Sequence, residues 1–193
     1  RETGTLAQPN ALIHASEGMN GTHRYIADYL LDEVLQQQLP GLQQFLLQTG
    51  ILNQLTAGLC DAVTGRTGSQ AILEQIEQAN LFTMPLDNKR QWYRYHQLFA
   101  DFLRDRLLHT APERVSEFHR RAADWYQRTG MLTEAITHYL IAGSMTEAAD
   151  LIEQYIRVTI NVGLGLNVLN WLETLPPTLV KARPVLCLIM AGL

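Results

Sequence analysis

The stretch Trp92-Tyr93-Arg94-Tyr95-His96-Gln97 gathers side chains able to do chemistry: a histidine beside aromatics, with Arg90, Arg104 and Arg106 nearby in sequence. His96 falls where an apolar, strand-like arm gives way to a helical pattern. The first N–H groups of a helix lack partners and carry a partial positive charge. An imidazole placed there is able to donate a hydrogen bond to an anion such as phosphate. It is equally able to cap the helix or to bond a backbone carbonyl. The arginines raise the question of nucleic acid, but the helix expected over residues 97–108 answers differently. Leu98, Phe99, Phe102, Leu103 and Leu107 form its apolar stripe, while Arg104 and Arg106 share the other face with Asp101 and Asp105. That mixture reads as solvated surface, with Arg120 and Arg121 further along.

Other chemistries find less support. The sequence has no P-loop pattern, no G-x-G-x-x-G after a strand, no G-x-S-x-G and no H-E-x-x-H. Its histidines (His14, His23, His96, His109, His119 and His138) show no metal-ligand spacing. Cys60 and Cys187 lie far apart in apolar surroundings and are expected as buried thiols in a reducing compartment. No catalytic centre, metal or cofactor is therefore expected within this chain. The net charge of −4 over 193 residues argues against a module that holds DNA alone, because such affinity comes largely from neutralising phosphates.

At 47% hydrophobic and 18% charged residues, the composition is that of a soluble globular protein. The start, RETGTLAQPN, has no apolar core of a signal peptide, and the apolar end Val185 to Leu193 is too short to span a bilayer. A cytoplasmic location without membrane association is the expectation. The chain starts without methionine and stops inside an apolar helical pattern, so it is expected to be a piece of something longer.

The elements that must position His96 are mostly helical. Thr22 is the expected N-cap of a helix carrying Tyr25, Ile26, Tyr29, Leu30, Val34 and Leu35. Pro40 and Gly41 break it, and Leu42 to Leu47 form a second, ended by Gly50. AGLCDAVTG and SQAILEQIEQAN give two more, the latter capped by Ser69 and stopped at Asn80. LFTMPL and QWYRYH flank DNKR, which predicts a two-stranded hairpin. Helices followed by a hairpin wing make a winged-helix-like order. After Pro112 all is helix, with Phe118, Ala122, Trp125 and Tyr126 on one face. TGMLTEAI (129–136) is echoed by AGSMTEAA (142–149), where glycine stops one helix, threonine caps the next and glutamate enters its first turn. Such hairpins stack into a solenoid-like, TPR-like superhelical array. GLGLN (163–167) opens a further segment that runs to Pro176-Pro177, with a last helix from Pro184.

The blocks HRYIADYLLDEVL, FLLQTGIL, LCDAVTG, LEQIEQANLF, WYRYHQLFADFLRDRL, FHRRAADWY and EAITHYLIAGSMTEAADLIE occur in that order. Their succession resembles the MalT-like, LuxR-type bacterial transcriptional regulators, signal-transducing ATPases of the STAND class. The resemblance runs from about His23 to the end. In that family an ATPase domain precedes a winged-helix domain with a helical arm, and a superhelical inducer-binding sensor and a LuxR-type helix-turn-helix follow. The resemblance implies a mainly α fold: a remnant or linker over 1–21, a winged-helix-like domain over 22–110, a helical arm over 111–162, and further helices over 163–193 that lead toward the sensor.

It also implies a role for His96. Related ATPases carry a Met-His-Asp motif at this junction, whose histidine contacts the β-phosphate of ADP and holds the closed, resting form. Here the motif reads Tyr95-His96-Gln97, keeping the histidine and departing at both flanks. The resemblance implies a slowly hydrolysing full-length protein that binds ATP and ADP. It would dock on its own ATPase and sensor domains, answer a small-molecule or protein inducer, and self-associate. DNA and RNA polymerase would be met only through the full-length protein. Two readings stand beside this one: a free-standing helical adaptor for a partner protein, and direct, salt-sensitive DNA binding by the arginine-bearing wing.

Overall fold

The computed structural model describes residues 21–159 and 166–191 of the chain. The remnant expected over 1–21 lies outside the described residues apart from Gly21, as does the start of the segment GLGLN. The chain divides into two units, one ending at Pro112 and one beginning at Glu113, and each is taken by itself.

The first unit holds five helices and one hairpin among the described residues. Its order is α1 (Gly21–Gln36), α2 (Pro40–Thr49), α3 (Ala57–Thr64), α4 (Ser69–Gln78), β1 (Thr83–Pro85), β2 (Tyr93–Tyr95) and α5 (Gln97–Thr110). Thr22 lies inside α1 rather than capping it. Of the expected stripe of α1, Leu35 is buried whereas Tyr29 is 69% exposed, and Leu31, outside that stripe, is buried as well. Leu31 and Leu35 are one turn apart, so they present a single ridge, and α1 packs on α5.

Pro40 does not end a helix so much as begin one, occupying the first turn of α2, where its missing N–H costs nothing. Thr56 caps α3 by accepting the Leu59 N–H at 3.2 Å. Ser69 does not cap α4. Gly68 holds the cap position at φ 89°, and the Asp61 carboxylate accepts the Ser69 N–H at 2.9 Å, bringing negative charge to the positive helix end. Asn80, at φ 50°, supplies the left-handed residue that follows α4.

The hairpin forms as the sequence indicates, in the register Thr83↔Tyr95, Met84↔Arg94 and Pro85↔Tyr93. It gains an unforeseen third partner in Leu55, which exchanges both backbone bonds with Tyr93 at 2.8 and 2.9 Å. Tyr93 and Tyr95 point inward and Arg94 outward, the alternation a strand requires. Phe45, Leu46, Leu52, Leu59, Leu73, Ile76, Phe99 and Leu103 complete the core.

The second unit contains α6 (Pro112–Arg128), α7 (Leu132–Ala142), α8 (Met145–Thr159), α9 (Leu166–Thr174), α10 (Pro177–Lys181) and α11 (Pro184–Ala191). The echo is structural. Gly130 and Gly143 stand at φ 80° and 75°. In each case the following amide reaches back to a tyrosine carbonyl: Met131 to Tyr126, and Ser144 to Tyr139, both at 2.9 Å. These are Schellman-type stops. Glu134 and Glu147 lie in the first turns as expected. Thr133 and Thr146 do not cap, because each already lies within its helix. Helices α7 and α8 pack as a hairpin, and α9 and α10 return against them. Cys187 is exposed rather than buried. Leu186 of α11 is buried, and the next residue is rotated about 100° away from it.

Gly50 is the tightest point of the first unit. A Cβ there would stand 2.6 Å from the Leu103 Cβ of α5. Gly50→Ala is therefore expected to destabilise the first unit by about 1–3 kcal/mol through overpacking. A lowered urea midpoint at unchanged slope is the readout; an unchanged midpoint would show that the two helices separate without cost.

Candidate functional site

His96 joins β2 to α5. Its amide donates to the Phe82 carbonyl at 2.7 Å, and its carbonyl accepts the Ala100 N–H at 2.9 Å. It stands at the N-cap position with φ −57° and ψ 139°, and its imidazole makes no capping hydrogen bond to α5. The side chain is half-buried. The first turn of α5 carries no acidic residue, so no carboxylate within that turn offsets the partial positive charge of the helix end.

Aromatic packing holds this junction. The Phe82 ring lies 4.9 Å from Phe99, and Tyr95 meets Phe99 edge-on at 5.7 Å. Phe82 has φ 52°, an uncommon conformation for a bulky residue, yet it is buried and its carbonyl is tied to His96. Tyr95 lies wholly inside. Thr49 donates its hydroxyl hydrogen to the Phe45 carbonyl at 2.7 Å, so its oxygen accepts from the Tyr95 hydroxyl at 2.8 Å. Burial pushes the Tyr95 phenol far above the usual tyrosine range, which keeps it a donor. Gln97 turns away along the helix, donating to Asp101 at 2.9 Å.

The wing is closed by Asp87. Its carboxylate accepts the N–H groups of Gln91 and Trp92, each at 3.0 Å, while Arg90 occupies φ 53° at the turn.

The arginines are largely spoken for. Arg90 pairs with Glu77 at 3.2 Å, Arg104 with Asp101 at 3.0 Å, Arg106 with Asp32 at 3.2 Å, and Arg121 with Glu117. Arg94 leans on the Met84 sulfur at 3.9 Å. Among the described residues of the first unit, carboxylates thus break up the basic surface at Arg90, Arg104 and Arg106. A cleft of about 560 Å³ beside α5 is lined by Asp32, Asp101 and Asp105, with Leu98 and Phe102. Arg106 and His109 complete that lining, so acidic and basic groups are mixed there, and His96 is not among its lining residues.

Elsewhere, among the described residues, no group of three metal-binding side chains occurs, and no helix is long and apolar enough to cross a membrane. Cys60 is buried, and burial pushes its thiol up. In the second unit, His119 and His138 meet through their Nδ1 atoms at 3.0 Å, a buried pair that sequence spacing did not reveal. One of these nitrogens must donate and the other accept. The Tyr139 hydroxyl lies 2.6 Å from Asp124 and 2.7 Å from Gln127, joining α7 to α6.

Comparison with known proteins adds four relationships. Residues 31–115 match the family described as the MalT winged helix domain. The chain is similar to the serine/threonine-protein kinase PknK of Mycobacterium tuberculosis, at 39% identity over 137 residues, which is 71% of this chain and 12% of that protein. It is similar to the HTH-type transcriptional regulator MalT of Klebsiella pneumoniae at 36% over 152 residues (79% of this chain, 16% of that protein). The MalT of Cronobacter sakazakii is 34% identical over 190 residues, covering 96% of this chain and 21% of that protein. The chain thus spans 12 to 21% of the length of these relatives.

The Asp87 carboxyl is held below the usual aspartate range, chiefly by the Gln91 N–H. A depressed carboxyl contributes to the folded wing above its unfolded range, and that contribution is lost as pH falls through the lowered value. The Gln91 and Trp92 amide resonances are expected to shift, and to lose exchange protection, only under acid conditions below the usual aspartate range. Loss of protection between pH 5 and 7 would contradict the assignment.

Proposed function

Residues 31–115 are a MalT winged helix domain within a MalT-like chain, and from that premise we propose that the chain is the winged-helix and arm module of an ATP-dependent transcriptional regulator. Its task in this reading is to couple the nucleotide held by a neighbouring ATPase domain, and the presence of an inducer, to DNA binding by other parts of the polypeptide. The observation that carries the reading is His96 at the ribbon-to-helix junction, half-buried and at the N-cap position of a helix whose first turn carries no acidic residue.

The arrangement acts as a two-state latch. In the resting state the module lies against the ATPase domain and His96 donates to a phosphate of ADP. Inducer and ATP favour the open state, and each shifts the balance only through its differential affinity for the two. A charge-assisted hydrogen bond contributes about 1.5–3 kcal/mol. That is large enough to bias the equilibrium and small enough for a ligand to reverse. The paired arginines and the net charge of −4 support assigning DNA contact to other domains. The matches to proteins named for kinase activity and for transcriptional regulation support a module that senses, while separate domains set the output.

The test is His96→Ala in the complete polypeptide that carries this segment. ADP release is expected to quicken by roughly 10- to 100-fold, the range such a bond implies, with basal transcription rising in parallel. Unchanged ADP release together with unchanged basal transcription would overturn the nucleotide-sensing role.

A further inference from the structure

His96 is fixed by the angle between two elements, the three-residue strand β2 and the helix α5. The C-terminal end of α2 touches both. Gly50 lies against Leu103 of α5 so closely that a Cβ would stand 2.6 Å from its neighbour. The residue just before it, Thr49, is wholly buried and accepts the Tyr95 hydroxyl at 2.8 Å across 46 positions of sequence. Two consecutive residues of one helix end therefore reach the strand residue preceding His96 and the helix that follows it.

The polar part of this contact is not needed to fill space. Phenylalanine would pack against Phe99 much as Tyr95 does, and valine has nearly the shape of threonine. What the two hydroxyls add is direction. Tyr95 is the donor of the pair, because the Thr49 hydrogen is committed to the Phe45 carbonyl at 2.7 Å. A short strand has few ladder bonds to hold it, here shared with β1 and Leu55. A buried bond from its last residue thus limits how far the junction is able to rotate.

We propose that the Thr49–Tyr95 hydrogen bond makes the end of α2 a positioning element for His96, setting how firmly a nucleotide phosphate is held. This rests on the nucleotide-sensing reading above and adds two residues to it. Neither Tyr95 nor Thr49 touches the nucleotide; both act through His96.

The experiment measures release of fluorescently labelled ADP from the complete polypeptide carrying Tyr95→Phe, Thr49→Val, both together, or Thr49→Ser. Each of the first two is expected to speed release by about 2- to 10-fold, the span of a single hydrogen bond. The double variant should match either single one, since both remove the same bond. Thr49→Ser, which keeps the hydroxyl, should restore slow release. In a His96→Ala background, Tyr95→Phe should add nothing. Additive effects, failure of serine to rescue, or a full Tyr95→Phe effect without His96 would each overturn the positioning role. If His96→Ala speeds release and Tyr95→Phe does not, the positioning proposal fails alone. If His96→Ala itself leaves release unchanged, the nucleotide-sensing reading fails first.

Discussion

The approach of α2 to α5 sets the geometry of the first unit. Gly50 permits it, because no side chain larger than hydrogen fits between the α2 terminus and Leu103. Once the helices lie at that distance, Thr49 comes within reach of Tyr95, and Phe99 meets both Tyr95 and Phe82. The hairpin is too small to be stable by itself. It is held because one face of β2 enters this core and because Leu55 bridges to Tyr93 from outside the hairpin. His96 has a definite place only as the outcome of these contacts.

The two units reach order differently. In the first, decisive contacts join distant residues, such as Leu55 with Tyr93 and Thr49 with Tyr95. In the second, many are local. Gly130 and Gly143 stop their helices with the same backbone geometry, and neighbouring helices pack as hairpins. Buried alanines, among them Ala122, Ala135, Ala148 and Ala149, allow close helix contact. The His119–His138 and Tyr139–Asp124 contacts then give the α6–α7 packing a polar register.

This difference explains what the sequence disclosed. Helix positions, the hairpin and its DNKR turn follow from local periodicity and turn chemistry, so they were legible. The stop glycines and the first-turn glutamates were legible for the same reason. Caps were less so. Thr22, Thr133 and Thr146 have the right chemistry in the wrong place, and Ser69 yields its role to the Asp61 carboxylate from another helix. Leu55 gave no signal because a single bridging residue shows no alternation. Thr49 gave none because a buried threonine and an exposed one read alike in one sequence. The exposure of Tyr29 and Cys187 likewise depends on which neighbour each helix turns toward. His96 was visible from its position at a change of period, but the bonds that orient it were not.

Charge placement separates the ways this module could meet a phosphate. A nucleic-acid backbone requires several unengaged cations along a surface, whereas here carboxylates hold Arg90, Arg104 and Arg106. A single nucleotide requires less: a few oriented N–H groups and one donor beside them. The first turn of α5 carries no acidic residue, and His96 stands at its N-cap position. At α4 the Ser69 N–H is already engaged by Asp61. Under the function proposed above, this charge placement suits a discrete anion at one junction better than an extended polyanion.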